Sequence, residues 1–147
     1  MTKILFVCLG NICRSVMAEY MFKDYCNKNG IKDIYIDSAG VSNEEEGNPI
    51  YPPAKNMLVK NGIAIGNHRA RKIKPEDYNN FDLILCAEDY HCKRCETIFG
   101  GDNDNKIMRM LDITDIKGNI ADPWYSGDFS LTFNQLSKVC QGLAKKL

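Results

Sequence analysis

The sequence predicts an α/β protein, a three-layer α/β/α arrangement built on a four-stranded parallel sheet. Three observations carry this. Runs of β-forming residues at 4–7, 34–36, 81–86 and 106–111 alternate with helix-patterned stretches, the order of parallel βαβ units with right-handed crossovers. The run Leu83-Ile84-Leu85 is apolar at consecutive positions, as in a strand covered on both faces. Cys8, Ser38 and Cys86 all fall at carboxyl ends of strands, where open α/β sheets place their sites.

The elements follow in order. Ile4-Leu5-Phe6-Val7 is a strand ending at Cys8, and a loop with one glycine, Gly10, leads to Arg14-Ser15. From there to about residue 29 the apolar residues Val16, Met17, Tyr20, Met21 and Tyr25 share a helical face, and Gly30 stops the helix. Ile34-Tyr35-Ile36 is a second strand, ending at Asp37-Ser38-Ala39-Gly40. The acidic stretch 42–47 with Pro49, Pro52 and Pro53 reads as a surface loop. Pro53 opens the next helix at its first position, with Ala54, Met57 and Leu58 inward and Gly62 beyond its end. His68-Arg69-Ala70-Arg71-Lys72 is a basic loop, and Pro75-Glu76-Asp77-Tyr78 begins a short helix. Residues 88–99 are helical, closed by Gly100-Gly101. The last helix, 129–147, turns Phe129, Leu131, Phe133, Leu136, Val139, Cys140 and Leu143 to the core.

Composition narrows the function classes. At 147 residues the chain is expected to be one domain, 1–147, large enough for a core. Its 19 basic and 19 acidic residues balance, so no net field draws it to nucleic acid or a membrane surface. No stretch approaches the ~20 apolar residues of a membrane span. Met1-Thr2-Lys3 runs straight into a strand, which leaves no room for a signal peptide. Seven cysteines, an odd count without framework spacing, imply free thiols, a reducing compartment and a cytoplasmic location. A monomer is the expectation.

Chemistry concentrates at Cys8. A cysteine at the end of a buried strand is ordinarily a small inert hydrophobe. Here a strand, a loop and a helix start converge on it, an arrangement that aims backbone N–H groups at an anion. The Arg14 guanidinium folds over the same point and suits phosphate, which it binds with two N–H bonds. Each of these stabilises a thiolate. The loop therefore reads as a phosphate-binding cradle around a sulfur nucleophile, with Leu9, Gly10, Asn11, Ile12, Cys13 and Ser15 supplying the amides. A cysteinyl-phosphate route also needs a general acid. Asp122 is the candidate, in the turn-rich loop Asp122-Pro123-Trp124-Tyr125-Ser126-Gly127, where Pro123 restricts its backbone. Trp124 and Tyr125 would wall an aromatic slot beside the cradle.

Val7-Cys8-Leu9-Gly10-Asn11-Ile12-Cys13-Arg14-Ser15 resembles the signature loop of the low-molecular-weight protein tyrosine phosphatases, V-C-x-G-N-x-C-R-S-P, with Val16 in place of the proline. The resemblance spans essentially the whole chain. It implies a phosphatase of protein phosphotyrosine and small aryl phosphates, inhibited by phosphate-like oxyanions. It also implies Cys8 as nucleophile, Arg14 on the phosphate, Asp122 as acid and then base, and no metal or organic cofactor. Asn11, Ser15, Ser38 and His68 stand where the family has a supporting hydrogen-bond network, and a surface imidazole is the plainer reading of His68. The family implies a reversible Cys8–Cys13 disulfide, with simple packing as the alternative. One departure matters: an aromatic wall is common after the second strand, and here Glu44-Glu45-Glu46 stands there, with Tyr51 the nearest aromatic downstream. An acidic or open wall is expected, with a preference for basic flanking residues.

Three rival readings remain in the sequence. Cys86, Cys92 and Cys95 suggest the disulfide relay of thioredoxin-coupled arsenate reductases, which share this fold and loop. His91-Cys92 with Cys95 suggests zinc, but lacks a fourth ligand at a recognisable spacing. A phosphotyrosine-binding module would be expected to lose Cys8 or Asp122, and both are present.

Overall fold

In the computed structural model, which describes residues 1–147, the central strand is β1 (Thr2–Cys8). Strand β2 (Ile34–Gly40) lies on one side of it, and β3 (Leu83–Cys86) and β4 (Ile107–Arg109) on the other. The order β2-β1-β3-β4 is parallel throughout, and the register sets Cys8 opposite Gly40 and Val7 opposite Cys86. The strand ends that the sequence marked thus lie along one edge.

Alternation along β1 divides the interior in two. Ile4, Phe6 and Cys8 join a core formed with helices α1 (Arg14–Lys28), α2 (Pro52–Lys60) and α6 (Phe129–Lys146). Leu5 and Val7 face the other way, into a smaller core shared with Phe81, Ile84, Cys86 and Cys95. Helices α3 (Asp77–Asn80) and α4 (Asp89–Phe99) belong to that second layer. This is the three-layer α/β/α arrangement with a four-stranded parallel sheet. Val16, at the proline position of the signature, is fully buried and adds to the larger core.

Several boundaries differ from expectation, each for a local reason. β3 starts at Leu83 because the Phe81 amide donates back to the Asp77 carbonyl and closes α3. β4 ends at Arg109: the Asp112 carboxylate accepts from the Arg109 amide at 3.0 Å, folding Met110–Ile113 into a 3-10 turn. Both Pro52 and Pro53 sit in the first turn of α2, one residue earlier than predicted, where neither needs an N–H. Leu131, expected inward, is exposed; Thr132 takes the buried position and donates its hydroxyl to the Ala121 carbonyl at 2.8 Å. The stretch after Asp122 is not merely turns but a short helix, α5 (Pro123–Ser126), ended by Gly127 in the left-handed conformation.

Gly40 fixes how closely β2 approaches the loop after β1. A Cβ there would lie 2.6 Å from the Leu9 carbonyl oxygen and 3.0 Å from the Gly10 carbonyl carbon. Alanine normally gains about 0.5–1 kcal/mol over glycine inside a strand. Crowding fixed backbone costs more, about 1–3 kcal/mol. Gly40→Ala is therefore expected to lower the urea midpoint of unfolding and to weaken phosphate binding, both measurable on the purified chain; an unchanged midpoint would refute the close approach.

Candidate active site

The loop from Cys8 to Arg14 has a consistent polarity. Its carbonyls are taken from outside: Cys8 O accepts from Val41 N, Leu9 O from Ser42 N, Ile12 O from Tyr51 N and Cys13 O from Met17 N, all at 2.8–3.0 Å. No backbone carbonyl accepts from the amides of Leu9 to Cys13, and the first turn of α1 leaves further N–H groups unpaired. Carbonyls out and amides in is the polarity of an anion cradle.

Asn11 enforces that polarity. Its φ of 62° is left-handed, a conformation asparagine tolerates better than most residues. Both ends of its buried amide are used: Oδ1 accepts from Arg71 N at 3.0 Å, and Nδ2 donates to Ser15 Oγ at 2.8 Å and to Ser38 Oγ at 3.0 Å. Its backbone carbonyl is 2.7 Å from His68 Nε2, which must donate, since a carbonyl only accepts. Ser38 donates to Glu19 Oε1 at 2.6 Å. The Arg71 amide on Oδ1 turns Nδ2 toward the two hydroxyls, so Ser38 and Ser15 both accept from Asn11; Ser38 gives its proton to Glu19, and Ser15 Oγ lies 2.9 Å from Cys8 Sγ, placed to donate its own proton once that sulfur is a thiolate. Cys8, Asn11, Ser15, Ser38 and Glu19 are all buried.

Arg14 is held from three directions. Its Nη1 donates to the Ile120 carbonyl at 2.8 Å and lies 2.7 Å from Glu88 Oε2; its Nη2 is 3.5 Å from Asp122 Oδ2. Glu88 is the N-cap of α4: its carbonyl accepts from the His91 amide at 3.0 Å, and His91 Nδ1 accepts from the Glu88 amide at 3.1 Å, which fixes the backbone that carries the carboxylate. Asp122 caps α5, accepting from Trp124 N at 3.1 Å, so the same carboxylate that faces Arg14 orients the helix carrying Trp124 and Tyr125.

These groups surround a cavity of about 200 Å³. Cys8, Leu9, Gly10, Ile12, Cys13 and Arg14 line it from the loop after β1, Asp122, Trp124 and Tyr125 from the segment ahead of α6, and Ser42, Glu44 and Glu45 from the loop after β2. Every predicted cradle residue except Asn11 and Ser15 lines it; those two, with Ser38 and His68, stand behind the cradle and hold it. The wall after β2 is acidic. Tyr51 does not replace it but packs against Trp124, with ring centroids 4.7 Å apart. The Cys13 thiol is pushed up to about 12, first by burial and then by the Cys8 sulfur and Asp122. Cys86, Cys92 and Cys95 lie outside the cavity, and no group of three or more His, Cys, Asp or Glu side chains is placed to hold a metal.

Sequence reasoning missed Glu19, Glu88, His91 and the Ile120 carbonyl. Glu19 carried a faint signal, an acid one turn after Ser15 within an apolar helical stretch. Glu88 and His91 carried one as an N-cap and third-position pair. The carbonyl carried none.

Burial, and secondarily the Arg14 charge, lowers His91 from 6.5 to about 4. The unfolded chain then binds more protons than the folded one between those values, so stability falls as pH drops through that window. Two and a half pH units at 1.36 kcal/mol each set an upper bound of about 3 kcal/mol. Asparagine can keep the acceptor without the titration. The prediction is that His91→Asn flattens the acid limb of stability between pH 6.5 and 4, measured by urea unfolding at a series of pH values.

Comparison with known proteins agrees with the loop and the fold. Residues 3–147 match the family model described as low molecular weight phosphotyrosine protein phosphatase. A Bacillus subtilis low molecular weight protein-tyrosine-phosphatase, YfkJ, is 34% identical over 146 residues, covering 97% of this chain and 94% of its own. The crystal structure of YfkJ from Bacillus subtilis superposes with a TM-score of 0.95 at 33% identity, over 99% of this chain and 94% of that one. A Drosophila arginine phosphatase structure reaches 0.91 at 27% identity, over 99% and 97%. The chain belongs to the low molecular weight phosphotyrosine protein phosphatase family.

Proposed function

We propose that the chain hydrolyses phosphotyrosine in proteins, and small aryl phosphates, through a phosphorylated Cys8. The observation that carries this is the one-sided loop: amides directed inward around a sulfur, with a buried arginine and an aspartate across the opening. In the first step Cys8 Sγ attacks phosphorus in line, the P–O bond to the phenol breaks, and Asp122 gives its proton to the departing oxygen. The loop amides and Arg14 hold the three equatorial oxygens as charge spreads over them. Asp122, now a carboxylate, takes a proton from water, which attacks phosphorus and frees the Cys8 thiolate. The Ser15 hydroxyl, whose oxygen accepts from Asn11 Nδ2 and whose proton is therefore free for sulfur, stabilises that thiolate as it leaves.

The aromatic pair Trp124 and Tyr125 beside the cradle supports a flat aryl ester as substrate. Ile12 adds an apolar surface at the floor. The Glu44 and Glu45 carboxylates support a preference for basic neighbours of the phosphorylated residue. They also favour a second reading, phosphoarginine, since a guanidinium is a planar cation suited to both an aromatic wall and an acidic one; two structural neighbours are named for that activity.

Hydrolysis of p-nitrophenyl phosphate in the presence of EDTA and a thiol tests the mechanism. Cys8→Ser is expected to abolish turnover, and Asp122→Ala to lower kcat by about 10²–10⁴-fold. An active Cys8→Ser protein would reject the covalent route. For specificity, phosphotyrosine peptides with Lys/Arg flanks are expected to exceed those with Asp/Glu flanks in kcat/KM by up to about fivefold, the range of exposed ion pairs. Glu44→Gln/Glu45→Gln should erase the difference. A phosphoarginine peptide turned over faster than either would replace the tyrosine reading with the second one.

A further inference from the structure

We propose that Thr132 and Gln135, on the first two turns of α6, are positioning residues for Asp122: they clamp the peptide groups just ahead of it and so set where its carboxyl meets the leaving oxygen. The proposal rests on Asp122 serving as the general acid. Consecutive peptides are held here, one after another. The Ile120 amide donates to the Ala87 carbonyl at 2.9 Å. The peptide joining Ile120 to Ala121 is used at both ends, its carbonyl by Arg14 Nη1 and its N–H by Gln135 Oε1, each at 2.8 Å. The next carbonyl, that of Ala121, accepts from Thr132 Oγ1 at 2.8 Å. It belongs to the same planar peptide as the Asp122 nitrogen, so fixing it fixes where Asp122 begins.

The groups nearer to Asp122 hold it only loosely. Its own helix, α5, is four residues long, and Trp124 and Tyr125 on it are 54% and 83% exposed. The Asp122 carboxylate accepts from Trp124 N, two residues on, and lies 3.5 Å from Arg14. Helix α6 is the firmer platform, 18 residues anchored in the larger core by Leu136, Val139 and Leu143. Thr132 and Gln135 are three positions apart and so share one of its faces. Packing alone does not explain Thr132, which is fully buried, because valine would fill the same space without a polar group to satisfy. A threonine inside a helix ordinarily returns its hydroxyl to the carbonyl one turn back. This one gives it to Ala121, in the segment that carries Asp122.

A general acid works only within hydrogen-bond reach of the oxygen it protonates, and a misplacement of about 1 Å can cost about 10²-fold. Without the clamp the Ala121 peptide is free to turn, and the Asp122 carboxyl moves with it. The nucleophile does not move, because Cys8 and the loop amides are held from behind by other segments. Arg14 keeps Glu88 at 2.7 Å. The defect is therefore confined to protonation of the leaving group. It falls on esters whose phenol must be protonated to depart, and spares those whose phenolate departs as the anion.

The test compares kcat/KM on phenyl phosphate, whose phenol needs a proton to leave, with kcat/KM on 2,4-dinitrophenyl phosphate, whose phenolate does not. Thr132→Val and Gln135→Met nearly keep the side-chain volume and remove the hydrogen bond. Each is expected to lower kcat/KM for phenyl phosphate by about 10–10²-fold, while the dinitrophenyl ester and inhibition by inorganic phosphate stay within about twofold. Thr132→Ser, which keeps the hydroxyl, should recover the phenyl phosphate rate. Asp122→Ala, measured alongside, should show the same selective loss, and adding either clamp substitution to it should cost nothing further, since both act through the one carboxyl. Equal losses on the two esters in Asp122→Ala would reject the acid role and the proposal with it. With the Asp122→Ala pattern in place, clamp variants that lose nothing, or that lose both esters alike, would overturn the clamp alone. Should the buried Thr132→Val fail to fold, Gln135→Met, at a half-buried position, carries the same test.

Discussion

The site depends on a backbone constraint: the residues after β1 must turn their carbonyls outward so that their amides are left inward. Peptide groups do not adopt such a one-sided arrangement unaided, because each N–H seeks an acceptor. The chain solves this with acceptor-side bonds from Val41, Ser42, Tyr51 and His68, drawn from three separate segments, so that the loop is anchored only through its back. Asn11 is where the constraint is most costly, because the turn requires a left-handed residue with a side chain. Its amide is satisfied at both ends by Arg71, Ser15 and Ser38, and these bonds offset the local strain. Arg71 in turn is fixed by Asp77 and Asp37, so the cradle's geometry reaches back to α3 and to β2.

Side-chain polarity continues what the backbone begins. A set of hydroxyls is ambiguous in direction until one group is pinned, and here the Asn11 amide is pinned: Oδ1 accepts from Arg71 N, so Nδ2 must donate to both Ser15 and Ser38. Ser38 then passes its own proton to the Glu19 carboxylate. Glu19 is itself paired with Lys23 one turn along α1, which moderates the cost of holding a charge beside the core. Helix α1 thus contributes more than its N-terminus: its first two turns carry Arg14, Ser15 and Glu19 on adjoining positions of one surface.

The sheet, its parallel sense and all the long helices were legible because hydrophobic period and glycine placement decide them. Boundaries were less so where a single side chain outweighs propensity, as at Asp112, which ends β4, and Thr132, which displaces Leu131 from the core. In the site, residues contiguous in sequence were legible because their spacing alone defines a strand, loop and helix start. Glu88 and the Ile120 carbonyl were not, because they meet Arg14 only after β3 is laid beside β1 and the chain returns from β4. The acidic residues were legible as such, and their place at the same cavity as Trp124 and Tyr125 came from the path of the loop after β2.

Arg14 is the only cation lining the pocket, and it faces four carboxylates: Glu88 and Asp122 in contact, Glu44 and Glu45 on the far wall. The two contacts differ in kind. Glu88, at 2.7 Å with a cap holding it in place, fixes one side of the guanidinium, while Asp122 at 3.5 Å is a looser partner. A phosphate dianion entering the cradle meets the unpaired loop amides and the remaining face of Arg14, and bidentate pairing with that face is stronger than a single long contact. The incoming ligand therefore displaces the weak partner and leaves the strong one. On the proposed mechanism that frees the Asp122 carboxyl for the leaving oxygen at the moment substrate binds, while Glu88 keeps the guanidinium plane from following it. On the same proposal, the Glu44 and Glu45 carboxylates would repel a bare dianion and favour one whose neighbours are positive, so that one charge pattern would serve both the chemistry and the choice of substrate.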